Sequence, residues 1–130
     1  MTELQMNKAT KRRLRELAGI AYERELRKAL QPVEQALADM HAGKRNAFEV
    51  SEVIHQFHQR PAKELWMRYA RAHLEMAIHS ALFENVITPE EIPVEARQWF
   101  VERVEHFRTL QNSDAGEGDA IENNEGETLP

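Results

Sequence analysis

Three sets of side chains in this sequence have the types and spacing that chemistry would need. His55 and His58 lie three residues apart, which on a helix puts both on one face. A third ligand could come from His73 or His79, with Glu75 one turn before His79. Glu52-x-x-His55 also has the Glu-x-x-His spacing of di-iron helical bundles, but those bundles need a second copy, and Glu75 and His79 are four apart. The His-Glu-x-x-His pattern of zinc peptidases is absent, and the chain has no cysteine to supply a thiolate. An incomplete ligand set is better explained by solvated or corner-packed histidines, so no metal and no cofactor are expected.

Ser51 and Ser80 fall inside predicted helices without a Gly-x-Ser-x-Gly elbow, and no glycine-rich phosphate loop occurs. Glu90 and Glu91 are adjacent carboxylates, but they stand at a helix start, where the helix dipole favours acids. No catalytic residue is assigned, and the expectation is a protein that is not an enzyme. Docking chemistry is richer. The stretch "IHQFHQRPAKELWMRY", residues 54–69, gathers cations and aromatics of the kind that anchor interfaces. His55, His58, Arg60, Lys63, Trp66, Arg68 and Tyr69 are the candidate partner-binding residues. Of these, Trp66 is expected to be largely buried within the protein or its dimer.

The elements that must position this stretch are helical. Leu14, Leu17, Ala18, Ala21, Tyr22, Leu26, Ala29, Leu30, Val33, Leu37 and Met40 recur mostly at three and four, a single apolar stripe over about residues 8–42. Pro32 predicts a kink or break within it, and Gly43 a stop. Asn46 with Glu49 three residues on reads as a capping box opening a second helix, whose buried face would be Val50, Val53, Ile54 and Phe57. Arg60-Pro61 predicts the end of that helix and the start of a third, running to about Glu84. Its apolar residues, among them Leu65, Tyr69, Leu74, Ile78 and Leu82, surround most of its girth. A helix of that kind is either central in a bundle or half covered by another subunit. Leu74, Ile78 and Leu82 are therefore expected at the twofold of a homodimer. Thr88-Pro89-Glu90-Glu91 repeats the grammar of a helix start, Pro93 interrupts it, and a last helix follows from Val94 to about Leu110.

Composition bounds the remainder. A length of 130 residues is about one domain. From Asn112 onward six acids face no cation, which leaves the preceding chain at +1 against a total of −5. The reading is a single helical domain, residues 1–111, followed by a disordered acidic tail, 112–130. At the other end, "KATKRRLR" holds five cations in eight residues. A nucleic-acid-associated role through this arm is the alternative to protein docking. No apolar run approaches the roughly 18 residues needed to span a bilayer, no secretory leader is evident, and cysteine is absent. A cytoplasmic location is expected.

The succession "AYEREL", "IHQFHQR", "WMRY" and "LFENVITPEEI" resembles the fluorescence recovery protein family over about residues 18–92. That resemblance implies an all-helical dimer. Members from cyanobacteria bind the orange carotenoid protein and speed its return to the resting form, so it also implies binding to a protein partner. The family's His-Asp-Phe falls at His55, Gln56 and Phe57, its tryptophan at Glu52, and its Lys-Tyr pair at Arg68 and Tyr69. Its partner-binding arginine falls between Arg60 and Ala62. His55, Phe57 and Tyr69 match outright.

Overall fold

In the computed structural model, which describes residues 6–128, every element is helical. The first helix, α1 (Lys8–Ala29), is capped by Asn7, whose side chain accepts a hydrogen bond from the Thr10 N–H at 2.8 Å. The long stripe breaks where Pro32 predicts it. Leu30 closes α1 and opens α2 (Gln31–His41), and proline sits in the first turn of α2, where a missing N–H has no intrahelical partner to lose. Gly43, at φ 76°, stops α2. The Gly43 and Lys44 amides turn back to the carbonyls of Met40 and Asp39, the two bonds of a Schellman ending. The Asn46–Glu49 capping box opens α3 (Ala47–Phe57) as expected.

The corner at Pro61 differs from the reading of the sequence. The chain does not break there: a π-helical turn (His58–Ala62) carries the helical path into α4 (Lys63–Trp66), and a second π-turn (Met67–Arg71) follows. A π-turn inserts one residue into the hydrogen-bond ladder, which makes room at the position where Pro61 has no N–H to give. The predicted long third helix is interrupted instead at Ala72 and His73, both extended (ψ 159° and 148°), and α5 (Leu74–Phe83) starts afresh.

After α5 the chain reverses at Asn85, crosses a short 3-10 turn (Pro89–Glu91) opened by a Thr88–Glu91 capping box, and enters α6 (Val94–Thr128). This last helix passes the end expected near Leu110. The helix bounds run on through the acidic segment to Thr128, and elongating an existing helix needs no new nucleus. Residues 129–130 of the assigned tail, and 1–5 of the assigned domain, lie outside the described residues. Among the described side chains Val104 is the last one buried, and residues 105–114 are exposed.

The core joins α1, α5 and α6. Leu14, Leu17, Ala18 and Ala21 meet Ile78, Ala81 and Leu82, and Ile87, Ile92, Ala96, Phe100 and Val104 close the cluster. This corrects the expected dimer surface. Ile78 is fully buried and Leu82 nearly so, and Leu74 packs on the same cluster, all within one chain. The wide apolar girth of this segment is covered by α1 and α6, not by a second copy. No residue of α2, α3 or α4 belongs to the core cluster. These elements instead form a separate arm, an α2–α3 hairpin continued by the π-turns, on which Ala36, Val50 and Leu65 are the buried apolar side chains.

Candidate docking site

The helical corner of residues 55–66 is flanked by two open grooves. One, of about 640 Å³, lies between the α1–α2 junction and α3, with Pro32 and Val33 on one wall and Val53, Phe57, Arg60 and Pro61 on the other. The second, of about 760 Å³, lies towards α1 and is lined by Tyr22, His58, Gln59, Ala62, Lys63 and Trp66. Gln59 reaches both. The π-turn separates the grooves, a local departure from regular helix of the sort often found at functional sites.

Five of the seven candidate partner-binding residues share this ridge. His55, His58, Arg60 and Lys63 are exposed and take part in no ion pair among the described residues. Trp66, expected to be buried within the protein or its dimer, is 46% exposed within the single chain. It is held by the Arg71 guanidinium, 5.6 Å from the ring centre, and it walls the second groove instead of filling the core. An exposed tryptophan beside uncompensated cations can pair an apolar contact with recognition of carboxylates.

Arg68 and Tyr69 serve a different purpose. Arg68 bonds both oxygens of Glu25 on α1, at 2.9 and 3.2 Å, and the Tyr69 hydroxyl donates to the same carboxylate at 2.5 Å. The Tyr69 ring stacks on Tyr22, with centroids 5.1 Å apart. Burial, and then the hydrogen bond to Glu25 with that carboxylate's charge, push the Tyr69 phenol well above its ordinary value. These two residues brace the arm against α1 through the Glu25 carboxylate. Expected among the partner-binding residues, both instead have their recorded contacts within the chain, to Glu25 and Tyr22 of α1.

The histidines are not brought together. His55 and His58 stand on the ridge, and His73 lies in the extended link before α5. His79 is enclosed between α5 and α6, parallel to Phe83 and edge-on to Phe107. Desolvation there, followed by the nearby Arg103 charge, lowers its pKa. Among the described residues no group of three or more His, Cys, Asp or Glu side chains could hold a metal ion. No helix among them is long and apolar enough to cross a membrane.

Reasoning from sequence missed Tyr22, Pro32, Val33 and Gln59, which complete the grooves from other elements. The break at Pro32 and the stop at Gly43 were the available signals, since the Gly43 turn lays α2 beside α3. A further groove of about 630 Å³ between α5 and α6, walled by Met76, His79, Phe83, Trp99 and Phe107, was also unforeseen. In comparisons with known proteins, the chain matches no family model, no curated protein and no solved structure.

Proposed function

We propose that this protein is a non-enzymatic binding module that dimerises through its α2–α3 hairpin and presents the corner ridge to a protein partner. This is the kind of role that the resemblance to the fluorescence recovery protein family implies. The observation that carries it is the state of the hairpin. Its fully buried apolar side chains are Ala36 and Val50, both small, while Phe48 is 85% exposed, Ile54 45% and Leu37 38%. Fully burying one large apolar side chain is worth about 1.5–3 kcal/mol, so a hairpin this poorly covered gains substantially from a second copy. A self-related surface closes the pair without leaving a second sticky face. The ridge of His55, His58, Arg60, Lys63 and Trp66 stays available beside it for a partner with carboxylates around an apolar side chain.

Light scattering at micromolar concentration tests the pairing. The expected result is twice the chain mass for the wild type and the single-chain mass for Ile54→Glu, with the helical spectrum of the variant unchanged. A wild-type monomer with an intact helical spectrum would overturn the dimer. For the ridge, a protein captured from the native host should survive high salt on the wild type and be lost on Trp66→Ala with Arg60→Glu. Equal capture by both chains would remove the ridge from the reading.

A further inference from the structure

The N-terminal turns of α1 place charge where helix electrostatics opposes it. Lys8, Lys11, Arg12 and Arg15 follow at i, i+3, i+4 and i+7, which puts them on one face, and all four are exposed. The first turn carries no acid to offset the positive end of the helix dipole. Arg13, the neighbouring cation, is paired to Glu95, which also accepts from the buried Thr10 hydroxyl at 2.7 Å. The other four take part in no ion pair among the described residues. The same chain holds the complementary charge. Asp114, Glu117, Asp119, Glu122, Glu125 and Glu127 follow one another with no cation between or after them.

We propose that the basic face of α1 is a docking site for the acidic C-terminal segment of a second copy of this chain. Asp114, the first acid of that segment in the same copy, is carried away from it. Glu95 anchors the start of α6 beside Thr10 and Arg13, and Asp114 lies 19 residues further along that helix. At 1.5 Å per residue the separation is about 28 Å, well beyond the Debye length of about 10 Å at 0.1 M salt. A second copy meets no such restriction. The contact is head-to-tail and electrostatic, whereas the hairpin pairing is apolar, so the two respond oppositely to salt.

Two full-length variants test it: one with Lys8, Lys11, Arg12 and Arg15 all changed to Gln, the other with Asp114 and Asp119 changed to Asn and Glu117, Glu122, Glu125 and Glu127 to Gln. Lys8, Lys11, Arg12, Arg15 and Asp114 are all exposed. Masses are read by sedimentation at about 50 mM and about 500 mM salt, conditions on either side of effective screening. The expected result is that wild type is heavier at low salt than at high salt and that neither variant alone is. An equimolar mixture of the two regains the low-salt increase. The high-salt mass reports the hairpin pairing separately, so failure of one reading does not mask failure of the other. A mixture whose mass ignores salt would overturn the proposal. So would salt-dependent association retained by the Gln variant of the basic face. A short DNA duplex bound as tightly by wild type as by the acid-neutralised chain would show instead that the face is an open nucleic-acid site.

Discussion

The carboxylate of Glu91 accepts from both terminal nitrogens of Arg24, at 3.0 and 2.7 Å, and from the Thr88 backbone N–H at 2.9 Å. It thereby ties α1 to the capping box of the 3-10 turn. The Arg24 hydrogen bond, and after it the Thr88 N–H, lower its pKa from an ordinary 4.5 to about 2. A depressed carboxylate stabilises the fold fully above its unfolded value and loses that contribution as pH falls from about 4.5 to about 2. Glu91→Gln should therefore flatten the acid limb of stability in that window while costing about 1 kcal/mol near neutrality, since the pair is partly exposed. Thermal melts of both proteins between pH 2 and 7 check this, and parallel acid limbs would show that the pair carries no linkage. Glu25 makes the same kind of tie to Arg68 and Tyr69, more deeply screened from water. Neither tie could be read from the sequence, because the partners stand 43 to 67 residues apart. Side-chain type suggested that Arg68 and Tyr69 could bind something, and what they bind is α1.

At the scale of elements, the legible features were those written in a few consecutive residues. Asn46 with Glu49, Thr88 with Glu91, Pro32 at a helix start and Gly43 at a helix end all do what their local chemistry dictates. Pro61 shows the limit of that grammar. Proline is costly inside a regular helix, yet the π-turn of residues 58–62 keeps the path helical, and nothing in the adjacent residues distinguishes a break from a bulge. Asn85 was passed over for a related reason. It ends α5 in a Schellman motif at φ 60°, with its own amide on the Leu82 carbonyl and the Val86 amide on that of Ala81, a role usually taken by glycine. A residue with a Cβ pays for that conformation unless, like asparagine, it tolerates it. Asn85→Ala should therefore destabilise by about 1 kcal/mol and Asn85→Gly by nothing, or by less than nothing. Chemical denaturation of the two variants against wild type decides it: equal losses for both would mean that the side chain of Asn85, and not its backbone angle, holds the turn.

For the whole molecule, the all-helical class followed from apolar periodicity and from how few glycines precede residue 116, but the assignment of surfaces did not. Periodicity reports how wide an apolar face is and is silent on what covers it. Leu74, Ile78 and Leu82 are covered by α1 and α6, and the surface left uncovered includes the hairpin, whose Ile54 was expected on a buried face and whose Phe48 lay outside that face. The same distinction separates helix from domain at the C-terminus. The helical backbone of α6 reaches Thr128, but a helix is part of the domain only as far as its side chains are covered. Among the described side chains Val104 is the last one buried. Beyond it, Phe107 lies edge-on to Phe83 and His79 and Arg108 donates to the Phe83 carbonyl, while the side chains of residues 105–114 are all exposed. Six acids and three glycines from residue 112 onward, with almost no apolar side chain among them, offer little to offset the entropy of ordering. Ending the chain after Gln111 keeps Phe107 and Arg108 and removes only that segment. Its stability should stay within about 0.5 kcal/mol of wild type, measured by thermal melting in enough salt to screen contacts between copies. A large fall in melting temperature under those conditions would mean that the acidic segment packs against the body, and that the domain ends where the helix does.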